Sequence, residues 1–243
     1  MKSNYIDYDF EKSRKRIDEI LDAKDTSYEE VEKIPSRDRL TYNNGFYVSK
    51  NSSLFIDIRG SSKMASDYSR PTLAKIYRSY ISECVAVING NDDCAEVNIH
   101  GDCVWGVFDS QYKTQINGIF STSAQLSSLI DTLNCKYKKK NIQPITVGIG
   151  MDFGRVLMIK AGYDGSGLND VVWMGEVVNG ARKLCANGNR TYSDYEMMVS
   201  SDFYSNLNDH NKALLSWNSN RSCYHGNVVN SNMDKWLKEN GCK

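Results

Sequence analysis

The sequence predicts an α+β fold: a ferredoxin-like βαββαβ core with an antiparallel sheet, followed by a C-terminal extension. Three observations carry that prediction. Short apolar, strand-like runs alternate with two long stretches of helical periodicity. Two of the strand-like runs are joined by a three-residue turn. The order of the segments is strand, helix, strand, strand, helix, strand, the split βαβ arrangement that puts both helices on one sheet face and leaves the other free.

The bulk numbers are compatible with one such domain. In 243 residues, 40% hydrophobic content with 11% aromatics is enough to build a core. Thirty basic residues balance thirty acidic ones, so no overall field draws the chain to nucleic acid or an anionic membrane, and neither partner is expected. The seven cysteines are odd in number, scattered, and never form a Cys-x-x-Cys pair. That pattern predicts neither a disulfide framework nor a zinc site and fits a reducing cytoplasm. The N-terminus is polar and no stretch approaches the roughly 20 apolar residues of a membrane span, so a cytoplasmic protein is expected.

Taken in order, residues 1–45 read as a helical appendage. Phe10, Ile17, Ile20 and Leu21 mark one side of a charged amphipathic helix, which an acidic stretch and Pro35 bring to an end. The appendage either packs or pairs protomers, or stays loose. Residues 46–243 form the main domain. Its first strand is Leu54–Ile58, broken by the polar turn Arg59-Gly60-Ser61-Ser62. A long helix follows Pro71, carried by Leu73, Ile76, Tyr77, Tyr80, Ile81, Cys84, Val85 and Ile88, and Asn89-Gly90 closes it. Residues 96–99 and 103–108 are strands joined by His100-Gly101-Asp102. The second helix is marked by Ile116, Ile119, Phe120, Leu126, Leu129, Ile130 and Leu133, with Lys138–Lys140 as its solvated end. A strand at 145–151 and another at 153–161 are expected to pair with each other, 177–184 to be helical, and 197–200 and 222–226 to be short strands.

The sheet order sets the first strand beside the hairpin, which brings Asp57 and Asp102 within reach of shared cations. Two hard carboxylate ligands suit magnesium or manganese. The stretch Asp57-Ile58-Arg59-Gly60-Ser61-Ser62 adds small residues and free backbone N–H groups leading into a helix, a means of cradling phosphate without a Walker lysine. Taken alone, Asp57 reads as a helix cap and Asp102 as a turn residue; together with their flanks they read as a metal pair.

On these residues the chain resembles the class III nucleotidyl cyclases over roughly residues 50–200. Phe55-Ile56-Asp57-Ile58-Arg59-Gly60 is similar to the family's first metal motif, and Gly101-Asp102-Cys103-Val104-Trp105 to its second. Residues 147–156 resemble its strand-turn-strand, with a glycine spacing unlike a dinucleotide-binding fingerprint. Gly175-Glu176-Val177-Val178-Asn179-Gly180-Ala181-Arg182-Lys183 resembles the helix that orients the ribose and stabilises the transition state. The resemblance implies two Mn2+ or Mg2+ ions per site, held by Asp57, Asp102 and the Ile58 backbone. It also implies nucleotide contacts from Phe55, Ile58, Arg59, Gly60 and Ser61, a ribose contact from Asn179, and a catalytic cation at Lys183 or its neighbour Arg182. The family register gives Lys183 where Arg is usual, and the two cations are not equivalent.

Base choice in the family falls at two positions that align with Asn98 and Val172, and neither purine pattern is present. An amide donates and accepts, so Asn98 suits a pyrimidine. The chain is in this respect similar to bacterial pyrimidine cyclases of antiphage signalling systems, which implies a cyclic CMP or cyclic UMP product, with CTP favoured. A head-to-tail homodimer is implied, in which Asp57, Asp102 and Asn98 of one protomer meet Val172, Asn179 and Lys183 of the other. The competing readings are a purine cyclase and a non-catalytic ferredoxin-like module binding nucleotide or RNA. The largely apolar strands around Phe55 and Trp105 disfavour an RNA-binding sheet.

Overall fold

The structure is a computed structural model and describes residues 2–243. The N-terminal helix α1 spans only Phe10–Leu21, capped by the Asp9 carboxylate on the Lys12 amide. None of its residues is buried, and Phe10, Ile17, Ile20 and Leu21 are all exposed. The acidic stretch after it holds a short strand, β1 (Tyr28–Val31), which adds parallel to the start of the long strand β2 (Gly45–Ile58). An edge strand joins through backbone groups, so the acidic side chains of Glu29 and Glu30 hid it from a reading by apolar pattern.

The main sheet follows from alternation along β2. Leu54, Ile56 and Ile58 face one side and are buried there; Phe55 and Asp57 face the other. Behind the first face lie α3 (Arg70–Asn89), reached through the short α2 (Ser61–Asp67), and, after the hairpin of β3 (Cys94–His100) and β4 (Cys103–Asp109), α4 (Lys113–Lys138). Ser69 caps α3 by accepting from the Thr72 amide, with Pro71 in the first turn, as the sequence predicts. Tyr80, Ile88, Phe120 and Leu126 fill the core between these helices and the sheet.

The next strand departs from expectation. Residues 147–163 form one continuous strand, β5 (Val147–Tyr163), and not two strands paired through a turn. Asp152-Phe153-Gly154 imitates a turn in sequence. Pairing with β2 along nearly its whole length, from Gly45↔Ile159 to Ile58↔Val147, holds it extended, and the chain reverses only at 164–167 into β6 (Leu168–Met174). The quartet β3-β4-β2-β5 has the expected ferredoxin-like order, antiparallel throughout.

The remaining elements are α5 (Glu176–Asn187), β7 (Met197–Val199), α6 (Ser201–Asn206), α7 (Asp209–Ala213), β8 (Ser216–Asn218), β9 (Cys223–Gly226) and α8 (Ser231–Glu239). β7, β9 and β8 extend the sheet beyond β5. α5 covers the face opposite α3 and α4, packing on a second cluster with Phe46, Val156, Met158 and Trp173. Glycine lets it approach: a Cβ on Gly150 would sit 2.1 Å from the Ala181 carbonyl oxygen and 2.1 Å from the Cys185 nitrogen.

The cysteine reading is corrected at one pair. Cys135 at the end of α4 and Cys242 near the C-terminus are joined by a disulfide across 107 residues, while Cys84, Cys94, Cys103, Cys185 and Cys223 stay free. A pairing so distant in sequence arises only from the packing of α8 on α4. Among the described residues no helix is long and apolar enough to cross a membrane.

Candidate active site

β2 and the β3–β4 hairpin build the centre of the site. The register Ile56↔Val104 sets Asp57 opposite the start of β4, next to Asp102 in the turn. Gly101 makes that turn at φ 66°, a left-handed conformation that glycine adopts without strain. The Asp57 carboxyl is pushed above its ordinary value by burial and then by the negative charge of Asp102, with Arg59 and Arg182 opposing. Asp102 Oδ2 is enclosed and has no hydrogen-bond partner. Two adjacent carboxylates, one with an orphaned oxygen, fit a hard divalent cation that neutralises both. Among the described residues no third His, Cys, Asp or Glu completes a cluster. Further ligands would be the Ile58 carbonyl, water or phosphate oxygens, a set suited to Mg2+ or Mn2+ and not to zinc.

Arg59 is folded back over this centre. Its Nη2 donates to the Asp57 carbonyl and to Asp57 Oδ2, both at 3.2 Å, and Nη1 donates to the Ala186 carbonyl at 3.1 Å. It therefore ties the end of β2 to the end of α5. Gly60, at φ 69°, opens α2, and Ser61 is its first residue; no side chain caps this end. Ile58 is buried, leaving its backbone as the group available to the site.

α5 supplies the opposite wall. A cleft of about 490 Å³ is lined by Phe55, Asp57, Trp105, Trp173, Asn179 and Arg182, among others. Val178, Arg182 and Cys185 follow one another at helical spacing on the face turned to this cleft, so Arg182 sits mid-stripe. Lys183 is exposed and is not part of the lining. The chain thus brings Asn179 and Arg182 into the cleft of its own Asp57. His100, read from sequence as a turn residue, ends β3 and lines the cleft as well.

The two positions read for base choice part company. Asn98 lies opposite Trp105, which is opposite Phe55, so all three share the face of the sheet that α5 covers. Phe55 and Trp105 are stacked, with ring centroids 4.8 Å apart. Val172 is exposed, whereas its neighbour Trp173 is buried and lines the cleft, because successive residues of a strand face opposite ways. In the sequence Trp105 is visible only as part of the second metal motif and Trp173 not at all, since a tryptophan in an apolar strand carries no local mark of a site.

An antiparallel ferredoxin-like sheet carries a carboxylate pair at one strand end, faced by a helix presenting an amide and a guanidinium, an arrangement suited to phosphate chemistry. The pattern of the adenylate and guanylate cyclase catalytic domain matches residues 48–221, and the chain belongs to that family of nucleotide cyclases. It is 39% identical to a uridylate cyclase of Gulbenkiania mobilis over 99% of this chain and 100% of that one. It is 34% identical to a uridylate cyclase of Treponema porcinum, over 96% and 82% of the two chains. Among solved structures it is similar to the adenylyl cyclase CyaB from P. aeruginosa, with a TM-score of 0.60 and 20% identity over 71% of this chain and 85% of that one.

Proposed function

We propose that this nucleotide cyclase acts on a pyrimidine nucleoside triphosphate, UTP before CTP, releasing the 3′,5′-cyclic monophosphate and pyrophosphate. The observation that carries the reading is the carboxylate pair of Asp57 and Asp102, together with Asn179 and Arg182, which α5 presents on the same face of the sheet. The base assignment moves from the cytosine favoured by sequence to uracil on the names of the two relatives matched over most of their length.

In this reading Asp57, Asp102 and the Ile58 carbonyl would hold two divalent cations. When bound, the cations supply Lewis-acid activation of the ribose 3′-hydroxyl and neutralise triphosphate charge. Asn179 orients the ribose so that the 3′-oxygen lies in line with the α-phosphorus. Arg182 stabilises the negative charge that develops on the transferring phosphoryl group, and its planar fork suits two phosphate oxygens better than Lys183 would. Arg59 holds the Asp57 carboxylate in place from the side of α5. The amides of Gly60 and Ser61 face the phosphates.

The working assembly in this proposal is a homodimer that completes the site across its interface, located in the cytoplasm and supplying a second messenger in antiphage defence. Loss of phage protection on Asp57→Ala in a plaque assay tests that role.

The primary experiment is incubation of purified protein with Mn2+ and each of ATP, GTP, CTP and UTP, with products identified by mass spectrometry. Cyclic UMP is the expected product. A cyclic purine would refute the base reading, and the absence of any cyclic product would refute the catalytic one.

A further inference from the structure

Arg59 serves two elements at once. Its Nη2 donates to the Asp57 carboxylate at 3.2 Å, and its Nη1 donates at 3.1 Å to the carbonyl of Ala186, the next-to-last residue of α5. The last carbonyls of a helix have no partner within it and form the negative end of its dipole. α5 has no basic residue in its own last turn, and the Gly188 amide that caps it bonds to Leu184 and Cys185, leaving Ala186 to Arg59. The cation at this helix end therefore comes from the end of β2. The fit is close: a Cβ on Gly148 would sit 3.2 Å from Arg59 Cζ and 2.2 Å from the Cys185 carbonyl oxygen.

The arrangement is also incompletely satisfied. The Arg59 side chain is only 12% exposed, and its Nε is enclosed with no hydrogen-bond partner. A buried donor left unpaired raises the free energy of the state that holds it, so this position depends on the carboxylate and the helix end together.

In the proposed homodimer those two partners belong to different sites. Asp57 and Asp102 of a chain serve one site, whereas Asn179 and Arg182, on the α5 of the same chain, serve the other. Arg182 lies about one helical turn before Ala186. We infer that Arg59 couples the two active sites of the dimer, so that filling one weakens the other. With divalent cations bound, Asp57 has another counter-charge, and Arg59 meets like charge where it had an attraction. A guanidinium is a rigid plane, so Nη2 cannot turn away from the carboxylate without carrying Nη1 off Ala186. α5 then loses the cation at its C-terminal end, and Asn179 and Arg182 are held less firmly for the second site. This coupling rests on the reading of the protein as a nucleotide cyclase whose sites are shared between protomers.

The test is calorimetric titration of the protein in Mn2+ with 3′-deoxy-UTP, which lacks the attacking hydroxyl and stays uncyclised. The wild-type dimer should bind two equivalents, the second with an intrinsic affinity about fivefold or more below the first, the lower end of ordinary coupling between sites. Arg59→Lys keeps the charge and the stem but has no planar fork to hold both partners, and its two affinities should agree within about twofold. Equal affinities in the wild type, or an unchanged inequality in Arg59→Lys, overturn the coupling and leave the nucleotide reading standing. No binding of the analogue by the wild type overturns both. Complementation between Asp57→Ala and Asn179→Ala chains does not depend on the coupling, and its absence would show that the shared site itself had failed. Hydrogen exchange needs no variant. At saturation with the analogue, the wild-type amides of residues 185–188 should exchange about threefold or more faster than without it, because the end of α5 has lost its cap. Unchanged or slower exchange there overturns the coupling.

Discussion

Gly150→Ala tests whether the seating of α5 on the sheet governs the site. The added methyl would lie 2.1 Å from the Ala181 carbonyl oxygen, 2.1 Å from the Cys185 nitrogen and 2.7 Å from the Cys185 Cα. All three are backbone atoms of α5, so no rotamer change relieves the clash. The helix must withdraw by more than ~1 Å before these contacts become ordinary, and overpacking of this kind costs about 1–3 kcal/mol of stability. Asn179 and Arg182 ride on α5 and would be displaced with it from their working positions. A misplacement of ~1 Å at a catalytic group costs on the order of 100-fold in rate. Urea unfolding and steady-state cyclase assays read the two effects separately. Gly154→Ala is the matched control on the same strand, because its methyl meets only Val177 Cβ at 3.7 Å. Wild-type stability and a kcat within twofold in Gly150→Ala, or an equal loss in Gly154→Ala, would refute a governing role for the seating of α5.

Three further outcomes follow from particular contacts. Arg182→Ala should lower kcat by about 10²–10³, the scale for losing one transition-state donor, whereas Lys183→Ala should stay within threefold; the reverse result would return the catalytic cation to Lys183. Mixing Asp57→Ala with Asn179→Ala protein should restore about a quarter of wild-type activity, because half of randomly mixed dimers are mixed and one of their two sites is intact. No recovery would put a whole site in each chain. Burial raises the partly buried Glu196 carboxyl to about 7 from an ordinary 4.5, and its Oε1 has no partner. Because the fold favours the protonated form, this stabilisation is complete below pH 4.5 and is lost as pH rises through 7. Glu196→Gln should therefore raise stability at pH 8 relative to the wild type, by at most about 3 kcal/mol, and make little difference at pH 4; equal melting curves at pH 8 would contradict the sign.

Local pattern was sufficient for much of this protein. The periodicity from Leu73 to Ile88 and from Ile116 to Leu133 identifies α3 and α4, and Ser69 with Pro71 fixes where α3 begins. The turn chemistry of His100-Gly101-Asp102 places a carboxylate at a hairpin tip, and the βαββαβ order puts Asp57 beside it. The helices and the turn depend on neighbours within a turn or two of chain, which a sequence displays directly, and the order of those elements then limits which strands can lie side by side.

What only the tertiary structure decided depends on partners far away in the chain. The extended path of β5 through Asp152-Phe153-Gly154 is imposed by β2, a hundred residues earlier, whose hydrogen bonds outweigh the local turn tendency. The pairing of Cys135 with Cys242 is set by where α8 docks. The choice of Arg182 over Lys183 and of Trp173 over Val172 as cleft residues is one of facing, fixed by how α5 rotates against glycines 148 and 150 and by the register of β6 on β5. Residue type and spacing establish that a helix or strand exists; the direction each side chain takes is settled by the element packed against it.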